Sequence, residues 1–206
     1  MPAGEAQMLT FAPNTDSTSW IGSRLSPRQQ FLPLLVGNFI PNEYSRYIRI
    51  SHPLIENTGQ RLEGMLEDPV LEFLITILEA DSAGGSGNCW FAFWRGWGRL
   101  VSNLQRLTGQ HVWESEDEEA ATFSLDAFRE YVLLAGSLNS LLFKAAPGMV
   151  KLTPQLWWPE SKAWFVSTDI DLTFTLIGAD DILASILLSC RDFESRIVHW
   201  KEAVNP

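Results

Sequence analysis

Histidine and cysteine are scarce in this chain, with 3 and 2 copies in 206 residues. The side chains that most often ligate metals or pair as nucleophile and base are therefore few. They form no C-x-x-C, no H-E-x-x-H and no calcium-loop spacing, so neither a metal nor a cofactor is expected. Cys89 and Cys190 stand in apolar segments, which fits a reducing cytoplasm where thiols act as small hydrophobes. No apolar stretch reaches the roughly 18 residues of a membrane helix. Residues 1–16 show no basic segment followed by an apolar one, so no secretory signal is expected. Basic side chains are outnumbered as well, 15 Lys and Arg against 25 Asp and Glu, for a net charge of −10. Nucleic acid and anionic lipid both demand a concentrated Lys/Arg field, and neither is expected as a partner.

Tryptophan and phenylalanine are abundant, at 9 and 12 copies, against only 3 tyrosines. Much of this aromatic content falls in segments that read as strands. Residues 44–51 alternate Ile48 and Ile50 with Tyr47, Arg49 and Ser51, the period of a half-exposed strand. In residues 89–97, Trp90, Ala92 and Trp94 face one side and Cys89, Phe91 and Phe93 the other. With both sides apolar, this is a central strand covered on two faces. Residues 131–135 read the same way, and residues 163–168 form a fourth strand rich in β-formers.

Asp68-Pro69 is a helix start, with proline in the first turn. Val70, Leu71, Leu74, Ile75 and Leu78 then recur at helical spacing to about Ala80, before the glycine cluster at residues 84–87. Shorter helices are expected at residues 19–25 and 138–146. A last one is capped by Asp180 or Asp181, with Ile182, Leu183, Ile186 and Leu187 on its inner stripe. Residues 31–40, broken by Pro33 and Gly37, read as a strand or an extended segment. Ile197, Val198 and Trp200 remain for docking the C-terminal tail. This order contains no regular βαβ repeat, so the expected fold is α+β: one mixed or antiparallel sheet with helices packed on it. Residues 1–16 form a loose lead-in and residues 17–206 a single domain.

Chemical candidates follow. Thr168-Asp169-Ile170-Asp171-Leu172-Thr173 puts two carboxylates at i, i+2, suited to a cation or to acid–base work, and resembles the D-x-D-x-T of haloacid-dehalogenase phosphotransferases. In that family the motif opens the domain, and long downstream segments supply a lysine and further acids. Here Lys201 is the one lysine downstream, so the plainer reading is that Asp169 and Asp171 cap a turn. His52 precedes Pro53 at a strand end, where a surface or capping role outweighs that of a base. No G-x-S-x-G elbow is present, and no catalytic residue is assigned. Trp157-Trp158-Pro159 falls in a connecting segment, as an edge lid over the core or an exposed contact patch. Five acids in six positions, Glu114, Glu116, Asp117, Glu118 and Glu119, form a solvated loop or a contact for a basic partner.

Three stretches taken together resemble an uncharacterised family of acidic actinobacterial proteins of about this length. They are Cys89-Trp90-Phe91-Ala92-Phe93-Trp94-Arg95-Gly96-Trp97-Gly98, Tyr131 to Leu138, and Leu156-Trp157-Trp158-Pro159 through Asp171. Tyr47-Ile48-Arg49-Ile50-Ser51-His52-Pro53 matches the family's Y-x-R-x-x-H-P. Arg95 stands where an acid is commoner, and Ala179 where a second glycine is usual. The resemblance implies one bacterial cytosolic domain and no reaction. Two functions fit the residues. The first is a non-catalytic interaction protein, of inhibitor or immunity type, using Trp157, Trp158 and the acidic segment against a basic protein. The second is an enzyme or binding domain for a small ligand or metal, with a pocket of Trp94, Trp158, Asp169 and Asp171.

Overall fold

The computed structural model describes residues 8–28, 32–55, 59–81, 88–98, 100–110, 120–126, 129–143 and 151–204. Its frame is one sheet of nine strands: β1 (Thr10–Phe11), β2 (Arg46–Ser51), β3 (Cys89–Trp94), β4 (Thr122–Asp126), β5 (Arg129–Gly136), β6 (Leu156–Pro159), β7 (Phe165–Ser167), β8 (Phe174–Ala179) and β9 (Ser195–Val198). The order across the sheet is β1-β5-β3-β6-β7-β8-β2-β9, with β4 also paired to β5. Each of these pairings is antiparallel. The helices are α1 (Ser19–Gly22), α2 (Asp68–Asp81), α3 (Leu100–Thr108) and α4 (Asp181–Ser189). The fold is α+β, and no helix among the described residues is long and apolar enough to cross a membrane.

The alternation in β3 sorts its side chains as the sequence predicts. Cys89, Phe91 and Phe93 enter the core beneath α2, α3 and α4, together with Leu74, Leu104 and Leu183. Ala92 lies in a second core on the opposite face, with Trp90 and Trp94 packed against it. That second face is covered by the one-turn helix α1, a 3₁₀ turn and irregular chain, and its cluster includes Trp20, Ile21, Val36, Phe39 and Ile40. Val70, Leu71, Leu74, Ile75 and Leu78 of α2 are all at most 1% exposed, the single inward stripe that their spacing predicts.

Several expectations are corrected. Trp157-Trp158-Pro159 is not a connection but part of β6, hydrogen-bonded between β3 and β7. A central strand with both faces covered buries consecutive side chains, so Trp157 enters one core and Trp158 the other, at 0% and 1% exposure. On α4 the inward row is Leu183, Ala184 and Leu187, while Ile182 and Ile186 are 71% and 41% exposed. Both i, i+4 rows are apolar, and packing on the sheet selects one of them. The described part of residues 31–40 contains a 3₁₀ turn at Val36–Asn38 instead of a strand. The short helix after Ser137 is 3₁₀, Leu138–Leu142, and residues 144–146 lie outside the described residues, as do residues 84–87. The tail adds a strand, β9, on the edge of β2. It buries Val198 but leaves Ile197 48% exposed.

Candidate functional site

The face covered by irregular chain is incompletely filled. A cavity of about 220 Å³ opens over β4–β7, floored by Leu125, Tyr131, Leu156 and Ser167 and walled by the segment that leaves α1. Among the described residues four charged side chains line it: Arg28, Asp126, Arg129 and Asp169. Asp169 belongs to the β7–β8 turn, which its own side chain shapes. Its Oδ1 accepts from the Asp171 backbone N–H at 3.1 Å, and its carbonyl accepts from Leu172 N–H at 3.0 Å. This is the local side-chain-to-backbone bonding expected of aspartate in a turn.

The Asp169 carboxylate is gripped by two guanidinium groups from distant parts of the chain. Arg28 donates from Nη2 at 3.3 Å, and Arg129 donates from Nε and Nη2, both at 3.4 Å. Arg28 also pairs with Asp126 at 3.4 Å and lies 4.6 Å from the centre of the Phe39 ring. Arg129 pairs outward with Asp171 at 2.5 Å and lies 5.7 Å from the Trp94 ring centre. Burial works against the Arg129 charge, but Asp169 and then Asp171 outweigh it and hold the guanidinium pKa above its ordinary value. Strand alternation places Tyr131 on the same face as Arg129. Tyr131 is 3% exposed and stacks on Phe123. Burial, then Asp169, raises its phenol pKa, so it stays a hydrogen-bond donor.

Trp94 stands at the rim. An open depression lined by Trp94, Arg95, Ser124 and Glu130 shares Asp126 and Arg129 with the cavity. Gly96 is required there, because a Cβ would fall 2.1–2.5 Å from three atoms of the Trp94 ring. Gln155 fixes the Trp94 backbone, its Oε1 accepting from Trp94 N–H at 2.8 Å while Nε2 donates to Thr153 O and Gly64 O. Arg95 bonds Glu130 at 2.9 Å.

Of the residues singled out from sequence, Asp169 lies in the cavity, Asp171 joins it through Arg129, and Trp94 borders it. Trp157 and Trp158 belong to the two cores, where Trp157 packs edge-on to Trp164 and Trp158 stacks on Phe165. They therefore offer no contact surface, and Trp158 does not line the pocket. Glu114, Glu116, Asp117, Glu118 and Glu119 lie outside the described residues. Arg28, Asp126, Arg129 and Tyr131 escape sequence reading. The one usable signal is Arg129-x-Tyr131, two polar-tipped side chains at strand spacing.

The reactive side chains are engaged elsewhere. His52 is 1% exposed, which corrects the surface placement. Its Nδ1 donates to Leu62 O at 2.6 Å, and its Nε2 lies 3.0 Å from Thr175 Oγ1. Thr175 in turn meets Thr168 Oγ1 at 2.8 Å. Because Nδ1 faces a carbonyl it carries the proton, and Nε2 accepts from Thr175. Burial is the main cause of a lowered His52 pKa, opposed by the Leu62 carbonyl. Burial also pushes the Cys89 thiol up to about 12, far from a reactive thiolate. No group of three or more His, Cys, Asp or Glu side chains is arranged to hold a metal ion among the described residues. No protein family, curated protein or solved structure matches the chain.

Proposed function

We propose that this chain is a non-catalytic binding domain, and that its ligand enters the cleft between Arg28, Arg129 and Asp169. The observation that carries this reading is convergence. Two guanidinium groups, two carboxylates and a nearly buried phenol share a cavity of about 220 Å³. Convergent polar groups beside apolar side chains, here Phe39, Leu125 and Leu156, are the usual make-up of a small-ligand site. Support for a non-catalytic role comes from His52 and Cys89, both committed to internal packing, and from Asp169, held by two arginines and its own turn. Cys89 and Cys190, which form no disulfide, support a cytoplasmic setting. The test is thermal denaturation with fractions of a small-molecule extract from an actinobacterium, on the wild type and on Arg28→Gln. The reading expects at least one fraction to raise Tm in the wild type and not in the variant. Equal shifts in both proteins, or no shift from any fraction, refute it.

The acidic segment supports a second reading, an inhibitor- or immunity-type protein that engages a basic protein. Residues 114–119 hold five of the chain's 25 acids, a density that favours a cationic surface. Capture from an actinobacterial protein lysate, with and without high salt, tests it. One stoichiometric basic partner released by salt is the expected outcome, and a salt-indifferent or empty capture counts against it.

A further inference from the structure

We propose that the ligand of this cleft is a small zwitterion of the α-amino-acid class. Its carboxylate is received by Arg28, Arg129 and Tyr131, and its ammonium by Asp126 and Asp169. The inference rests on the cleft being a ligand site and adds the chemistry of what enters.

The donors come first. Hydrogen bonds occupy Nη2 of Arg28 and Nε and Nη2 of Arg129. The Nη1 group of each arginine, and the Tyr131 hydroxyl, have no hydrogen-bond partner among the described residues. All three side chains line the same cavity, and Tyr131 is 3% exposed. Donors from two planar forks and a phenol suit an oxyanion, and a carboxylate matches guanidinium geometry.

Charge balance then chooses among oxyanions. Among the described residues the lining holds two arginines and two aspartates, and their charges cancel before anything enters. The Asp169 side chain is 5% exposed and that of Asp126 23%. A dianion such as phosphate would meet both carboxylates with no cation of its own, in a site where unmatched charge is costly. A simple carboxylic acid leaves the site one charge negative. An amino acid keeps the balance, because its ammonium has acceptors only a few ångströms from the guanidinium groups. A neutral polyol keeps the balance too, but it forgoes the charge-assisted bonds that the unused guanidinium N–H groups offer.

Size agrees with this choice. At about 220 Å³ the cavity falls below the ~300–1,000 Å³ of drug-sized sites, and Phe39, Leu125 and Leu156 give an aliphatic or small aromatic side chain an apolar wall.

The experiment is titration calorimetry, supported by thermal shifts, with the proteinogenic α-amino acids. For any that bind, the matching amine without the carboxylate, the matching acid without the ammonium, and inorganic phosphate are titrated as well. The expected result is an amino acid whose amine and acid counterparts each bind at least about tenfold more weakly, the loss of one charge-assisted contact. Arg28→Gln and Tyr131→Phe, checked for unchanged secondary structure and cooperative unfolding, weaken that binding by about as much. An acid or phosphate that binds as tightly as the amino acid overturns the zwitterion and makes this an anion site. A panel that never binds, beside an extract fraction whose stabilisation Arg28→Gln abolishes, overturns the ligand class and leaves the cleft reading standing. Silence from panel and extract alike overturns both.

Discussion

Arg129 holds two aspartates that differ in opposite ways in the two variables that set ion-pair strength. Its contacts with Asp169 are long, 3.4 Å, but the side chains are 11% and 5% exposed. Its contact with Asp171 is short, 2.5 Å, but Asp171 is 69% exposed. Coulomb's law ranks them. At an effective dielectric of about 20, charges 3.4 Å apart attract by ~5 kcal/mol, whereas charges 2.5 Å apart in a water-like ~80 attract by ~1.7 kcal/mol. Desolvation and side-chain ordering remove much of each. The expected couplings are about 1.5–3 kcal/mol for Arg129–Asp169 and no more than about 1 kcal/mol for Arg129–Asp171. Double-mutant cycles of Arg129→Met with Asp169→Asn and with Asp171→Asn measure both, by urea unfolding with m-values checked for constancy. Asn at position 169 keeps an oxygen for the turn bond to Asp171 N–H, so the cycle reads the charge and not the loop. Arg28 remains on Asp169 throughout, so the value is the Arg129 share alone. A coupling to Asp171 equal to or above that to Asp169 refutes the reasoning, because proximity would then outweigh burial at this site.

Two further outcomes test the wider structure. Burial lowers the His52 pKa below its unfolded value near 6.5. Its neutral form therefore contributes stability above that pH, and the contribution is lost as pH falls through the folded-state pKa. Between about pH 7.5 and about pH 5.5 the urea midpoint of the wild type should fall more than that of His52→Gln; parallel declines would remove His52 as the titrating group. On α4, Leu183→Ala should lose about 2–5 kcal/mol and Ile182→Ala no more than about 0.5 kcal/mol. Comparable losses in the two variants would mean that the helix presents a different face to the sheet.

What sequence reading recovers follows from how local each signal is. The strand at Cys89–Trp94 announces its two faces by alternation, and α2 announces its stripe by a single apolar row. Where two rows compete, as Ile182/Ile186 and Leu183/Leu187 do, period alone does not rank them, and contact with the sheet chooses. The run Phe174–Ala179 is wholly buried, and so short a run, apolar but for Thr175, shows neither a clear strand nor a clear helix period. Adjacent tryptophans at Trp157 and Trp158 look like a break in alternation only while one face is assumed wet. With cores on both faces the break disappears. Leu100, Leu104 and Leu107 carry a helical period, but the polar Ser102, Asn103 and Gln105 between them thin the signal. Asn103 is itself buried and accepts from Leu152 N–H at 3.0 Å.

The cleft is hidden from sequence for a further reason, which also explains why it exists. Arg28 is 141 residues from Asp169, and Arg129 is 40 residues from it, so no motif window contains the set, and only the order of strands across the sheet assembles it. That sheet is covered unequally. On one face, α2 and α4 press apolar stripes against β-branched and aromatic side chains of the sheet, such as Ile48, Val166, Phe91 and Phe93. On the other face, the cover includes the turn-rich chain around Ser26-Pro27 and Val36–Asn38. Much of its backbone bonds to other turns and to the tail, as in Ser26 N–H to Gly37 O and Val36 N–H to Glu202 O. Such a cover meets the sheet at anchor points like Trp20 and Phe39 and leaves a gap between them. A gap lined by apolar side chains alone would fill by local collapse. Oppositely charged side chains from β5, the β7–β8 turn and the α1 exit hold this one open, since each must keep partners for its charge and none can fold flat onto the sheet. The mixed-sign lining is therefore the support of the cavity and, under the function proposed above, its means of recognition.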